Sequence, residues 1–208
     1  MTAPLPRRPA SSVASIARLA LLVATACGGV DRLDPGDPAD APHLDPMATP
    51  DTADLAARIH REVNRARRRH GLSTLLWNAA PAAIALGHSR DMAARGYFAH
   101  DTPEGDGFGR RYARAGFQCR VPLDERTLLT GAENLALVWR WEGVRRWSDG
   151  REEKLGARGP DALAARTVQG WLDSPLHRAN LLRPEWLTEG IGVVVTADGR
   201  VIVTQNFC

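Results

Sequence analysis

Apolar and polar positions divide the chain near residue 50. Over residues 52–70, Leu55, Ile59 and Val63 recur every four residues against a charged background. That spacing predicts an amphipathic helix with one apolar stripe. Asp51 or Thr52 can cap its start, and Gly71 ends it. Leu75-Leu76-Trp77-Asn78 reads as a short connector, with Asn78 capping a second helix that carries Pro81 in its first turn and stops at Gly96. Its inner face is small and Ala-rich. A shorter third helix is expected over 109–115, closed by Gly116, and a buried strand over 131–138. Residues 139–159 are charged and Gly-containing, and read as an insertion or long surface loop. Pro160-Asp161 opens a helix through Trp171. Two β-branched runs, 191–195 and 201–207, flank the turn signal Asp198-Gly199 and predict a hairpin. Strands mixed with non-alternating helices indicate an α+β class.

The first 50 residues have a different character. Arg7, Arg8 and Arg18 precede the apolar run Leu19-Ala20-Leu21-Leu22-Val23-Ala24, which is too short to span a bilayer. The pattern predicts an export signal over 1–26. The run ends on Thr25-Ala26-Cys27-Gly28, the form of a bacterial lipobox, which makes Cys27 the expected lipidation site and a membrane the expected anchor. The alternative is an ordinary signal cut after Ala26. Residues 27–50 are rich in Asp, Pro, Ala and Gly and read as a disordered tether. Residues 51–208 are long enough for one domain with a single core.

Three cysteines fit export. With Cys27 acylated, Cys119 and Cys208 are left as an even pair, and an oxidising compartment favours a disulfide between them. Two buried free thiols are the alternative. The chain has 27 Lys and Arg against 24 Asp and Glu, but three of those Arg lie in the leader, so the mature chain is balanced. A balanced charge argues against nucleic acid as a partner. The run Arg65-Ala66-Arg67-Arg68-Arg69 reads as the solvated end of the first helix.

Several chemistries are excluded by pattern. His60-Arg61-Glu62-Val63-Asn64 lacks the second His of a zincin motif. There is no G-x-S-x-G elbow, no phosphate-cradling glycine loop and no CxxC pair. What remains is His100 after Tyr97-Phe98-Ala99, Glu133 within Gly131-Ala132-Glu133-Asn134-Leu135-Ala136, and His177 within Trp171-Leu172-Asp173-Ser174-Pro175-Leu176-His177-Arg178-Ala179-Asn180. Imidazoles are common ligands of Zn²⁺-class ions, and a carboxylate can orient such a ring. The blander reading is a hydrogen-bonded cluster that fixes loops. Asn180 and Gln205 are expected to satisfy backbone groups, and Trp77, Trp171 and Phe207 to be core. His60 and His70 are expected on the solvated side of the first helix, and His88 as a satisfied helix residue. Trp139, Trp141, Trp147 and Trp186 are candidate exposed aromatics for recognising lipid, glycan or protein.

In this order, the three segments resemble the CAP superfamily of cysteine-rich secretory, antigen 5 and pathogenesis-related 1 proteins, in particular its bacterial SCP-like members. The resemblance covers roughly residues 55–208. It implies a three-layer α/β/α sandwich with a central, mostly antiparallel sheet. It also implies a cleft lined by two His and two acids, of which His100, His177 and Glu133 are present. The second acid of the eukaryotic pattern falls at Ser174, with Asp173 adjacent. Zinc or another divalent metal on His100 and His177, with Glu133 as orienting acid, is one expectation. A binding or interaction module, a metal-dependent hydrolase or protease, and a structural envelope protein are the three functions that follow.

Overall fold

The computed structural model describes residues 49–208; the leader, Cys27 and most of the expected tether lie outside the described residues. Helix α1 spans Thr52–Arg69, and the Asp51 side chain accepts from the Ala53 N–H at its start. Leu55, Ile59 and Val63 are fully buried, as the four-residue spacing requires. Helix α2 spans Ala79–Arg95, capped by the Asn78 side chain and closed by Gly96 in the left-handed region. Helix α3 covers Phe108–Arg114, α4 covers Pro160–Asp173, and α5 covers Pro175–Leu181.

The main sheet has the strand order β1-β7-β8-β4. Strands β4 (Ala132–Trp139), β7 (Thr188–Val195) and β8 (Arg200–Phe207) pair antiparallel. Strand β1 (Leu76–Trp77) adds a parallel edge to β7. The expected connector at Leu75–Asn78 is therefore a strand, created by backbone bonds from Leu76 to Leu187 and from Asn78 to Glu189.

Two layers cover this sheet. On one face α1, α4 and α5 close the larger core around Trp171, Phe207 and Val203. On the other face α2 packs on β7 and β8, with Met92 against Leu135 and Ile202. Close approach on this side depends on Gly190 and Gly192: a Cβ at either position would fall into the α2 backbone at Ala82 or Leu86. The α+β class and the three-layer sandwich both stand.

Residues 139–159, read as an insertion or long surface loop, carry regular structure. Strands β5 (Trp141–Arg146) and β6 (Glu152–Ala157) form an antiparallel hairpin, apart from the main sheet. A further short pair joins β2 (Val121–Pro122) and β3 (Leu128–Leu129). The Cys119–Cys208 disulfide is formed, tying the end of β8 to the segment before β2.

Several single-residue expectations are corrected. Arg67 is fully buried within the run read as solvated, and its guanidinium donates to the carbonyls of Ser73, Leu181 and Arg183. Trp77 is 43% exposed rather than core, and lies edge-on to His60. His60 itself bonds the buried Glu189 carboxylate through Nδ1 (2.6 Å). Trp141 and Trp186 are buried, while Trp139 and Trp147 are exposed. Among the described residues, no helix is long and apolar enough to cross a membrane.

Candidate functional site

Successive residues of a strand point to opposite faces of a sheet, and the site is built on that alternation in β4. Glu133 and Asn134 are neighbours in β4, the strand at one end of the main sheet. Glu133 engages α3 and the loop after α2; Asn134 engages α5.

The Glu133 side chain is 1% exposed. One carboxylate oxygen bonds His100 Nδ1 (2.9 Å), and the other accepts from the Arg111 guanidinium (2.5 Å). Arg111 also donates to the carbonyls of His100 (2.9 Å) and Asp106 (2.6 Å). One guanidinium from α3 thus fixes both the acid and the loop that carries His100. The loop has a second tie. His88, buried on α2, meets the carbonyl of Ala99 through Nε2 (3.0 Å), and since a carbonyl only accepts, that nitrogen carries the proton.

On the opposite face, Asn134 Nδ2 donates to the His177 carbonyl (3.1 Å) and to Gln205 Oε1 (3.1 Å). Asn180 Nδ2 donates to Asn134 Oδ1 (3.0 Å) and to the Glu133 carbonyl (3.3 Å). Gln205 passes the chain to buried Glu189, and Glu189 to His60. This buried network crosses the sheet and locks α5 on β4. Asn180 bonds one backbone carbonyl, as expected, and one side chain, whereas Gln205 bonds the side chains of Asn134 and Glu189 rather than the backbone groups expected of it.

The two anchorages bring His100 and His177 together, with ring centroids 6.4 Å apart and planes at 47°. The His100 side chain is 52% exposed, with Nδ1 turned to Glu133. Desolvation lowers the His177 pKa below its usual value, and the nearby His100 lowers it further. Ser174 ends α4 and opens α5, and makes no capping bond. Asp173 is exposed and accepts from Gln169 on its own helix. Arg111 and His88 organise the site, and no local motif identifies either from sequence. Their partners lie on other elements.

The donor set does not suit a catalytic zinc. Such a site uses three protein ligands, and both Glu133 oxygens are already engaged. Among the described residues no group of three or more His, Cys, Asp or Glu side chains is placed to hold an ion. Two imidazoles on one tetrahedral ion at ~2.0–2.1 Å place their ring centroids roughly 5 Å apart; these stand wider.

Burial also lowers the His88 pKa, with Glu133 partly opposing and Arg111 reinforcing the shift. Its Nδ1 is buried without a partner among the described residues. As pH falls below about 6.5, the unfolded chain takes up the proton first, so stability falls until the folded form titrates as well. His177 acts in the same direction. Chemical denaturation at pH 7.5 and at pH 5.5 checks this: His88→Gln loses less stability on acidification than the unaltered chain.

Residues 60–207 match the model of the cysteine-rich secretory protein family, CAP. The chain belongs to this family. Its CAP domain is 29% identical over 144 residues to the uncharacterized membrane protein YlbC of Bacillus subtilis (strain 168), a match that covers 69% of this chain and 31% of that protein. An extracellular protein containing a SCP domain from Bacillus anthracis str. Ames is 30% identical, with TM-score 0.50, over 77% of this chain and 44% of that one. The chain thus spans less than half the length of either relative. An outer surface protein of Borrelia burgdorferi shares the fold at 18% identity and TM-score 0.54, over 77% of this chain and 96% of that one. The extracellular and membrane relatives are consistent with the extracytoplasmic location expected from the sequence of residues 1–26.

Proposed function

We propose that this CAP protein is an extracytoplasmic recognition module, acylated at Cys27, that receives a lipid, glycan or protein ligand in the cleft between His100 and His177. The observation that carries this reading is the full engagement of Glu133 by His100 and Arg111. A carboxylate fixed in that way orients an imidazole and builds a rigid surface. It does not serve as a free base or a metal ligand. The exposed His100 ring and the adjoining His177 then offer hydrogen-bonding edges to a ligand. Acylation would hold the module at the envelope, with residues 27–50 as its tether.

Leu176 precedes His177 and is 81% exposed, so a photo-crosslinking side chain there is open to solvent next to His177. In cells making the full chain, this probe captures a defined adduct, and His100→Ala or His177→Ala reduces capture several-fold without changing protein level. Capture indifferent to both histidines contradicts the reading.

A further inference from the structure

A large groove lies away from the two histidines, between the β5–β6 hairpin and α4, with a volume of about 1200 Å³. We propose that it is a second binding site, and that it takes a short, uncharged oligosaccharide. The groove combines an exposed indole with polar and charged groups on both sides, and together these match the two aspects of a sugar ring.

One side carries the exposed indole. Trp139, at the end of β4, is 48% exposed, and Val144, which also lines the groove, is 44% exposed. The wall is well supported. The Arg158 guanidinium donates to the Trp139 carbonyl (3.0 Å) and to that of Trp141, and Lys154 Nζ reaches the Ala197 carbonyl (3.3 Å). These bonds fasten the hairpin to the body of the domain. An exposed indole carries a negative π face that attracts polarised C–H groups, such as those on the flat face of a pyranose.

The facing side is polar. Arg166, Gln169 and Asp173 recur along one face of α4 with helical spacing, and all three are exposed. Arg166 has no hydrogen bond or ion pair among the described residues. Gln169 donates to one Asp173 oxygen (2.7 Å), which leaves its own carbonyl oxygen and the other Asp173 oxygen available. Guanidinium, amide and carboxylate in a row present both donors and acceptors. Hydroxyl groups, each donor and acceptor at once, satisfy such a row. An alkyl chain does not.

Charge narrows the ligand further. The groove is lined by as many cationic as acidic side chains, four of each. A nucleic acid or another polyanion calls for a cationic excess. Size sets the length: drug-sized ligands occupy pockets of about 300–1,000 Å³, so this open groove suits several linked sugars.

The test uses the full chain carrying Cys27→Ser, titrated with chitotetraose and with cellotetraose. Calorimetry and the NMR signals of the indole N–H groups are the readouts. The expected result is binding of at least one tetramer with a shift of the Trp139 indole. Trp139→Ala weakens it about tenfold or more, the scale of one lost stacked aromatic. Gly170→Leu weakens it equally: position 170 has open space around an added Cβ, so the side chain enters the groove without disturbing α4. His100→Ala leaves it unchanged. The proposal is overturned if neither tetramer moves the Trp139 signal, or if binding ignores Gly170→Leu. It is also overturned if binding is lost only in His100→Ala, which places the sugar in the histidine cleft instead. A protein or vesicle that shields Trp139 while neither tetramer binds overturns it as well.

Discussion

Replacing Arg111 by alanine lowers the unfolding free energy by about 3–5 kcal/mol, the cost of leaving a buried charge without its partner. Both side chains are withdrawn from water, Glu133 at 1% and Arg111 at 10% exposure, so solvent screens their pairing little. The truncation also strips donors from the carbonyls of His100 and Asp106. Part of the cost is thus loss of the loop that presents His100. The double variant Arg111→Ala with Glu133→Gln removes the orphaned charge and recovers a substantial part of the loss. Guanidinium denaturation of the two single variants and the double variant measures this coupling. Additive losses would mean that the pair does not act as a unit.

Reducing the Cys119–Cys208 bridge is expected to cost a similar amount. The two residues are separated by 89 positions, and the chain-entropy model gives about 4–5 kcal/mol for a loop of that length. The native side also loses. The Cys208 carbonyl accepts from Leu187 N (2.9 Å) and Thr188 N (2.7 Å), and Cys208 N donates to the Thr188 carbonyl (2.9 Å). These bonds fasten the last residue to the start of β7, and the bridge holds that residue in place. Thermal unfolding of the full chain, with and without a phosphine reductant and beside Cys119→Ala/Cys208→Ala, reads the effect. A reduced chain that melts with the oxidised one would show that the terminus is held without the bridge.

The parts of the fold legible in the sequence are those set by local rules. The stripe Leu55-Ile59-Val63, the caps at Asp51 and Asn78, and the Asp198-Gly199 turn each act within a few residues, and each forms. What escaped notice depends on partners distant in the chain. Strand β1 is two residues long and exists only because β7, more than 100 positions later, offers a parallel edge. The β5–β6 hairpin is exposed along most of its length, so its strands lack the in–out alternation that marks a half-buried sheet.

The same distinction holds around the two histidines. His100, Glu133 and His177 stand in recognisable local sequences, and the fold brings them together. Arg111 sits among several arginines of α3, and nothing nearby distinguishes it. Arg67 gives a sharper case. The other arginines of the run are exposed, while its own guanidinium satisfies three backbone carbonyls on two other segments. Charge alone cannot separate a buried arginine from an exposed one, because the deciding partners are backbone groups, which carry no sequence signature.

The most direct test of the proposal that His100 and His177 form a recognition surface, rather than a metal centre, is calorimetric titration of the full chain carrying Cys27→Ser with Zn²⁺, beside His100→Ala and His177→Ala. With Glu133 fully engaged and only two imidazoles available, the expected result is binding of roughly millimolar Kd or weaker. One-to-one binding in the micromolar range, abolished by either histidine substitution, would contradict it.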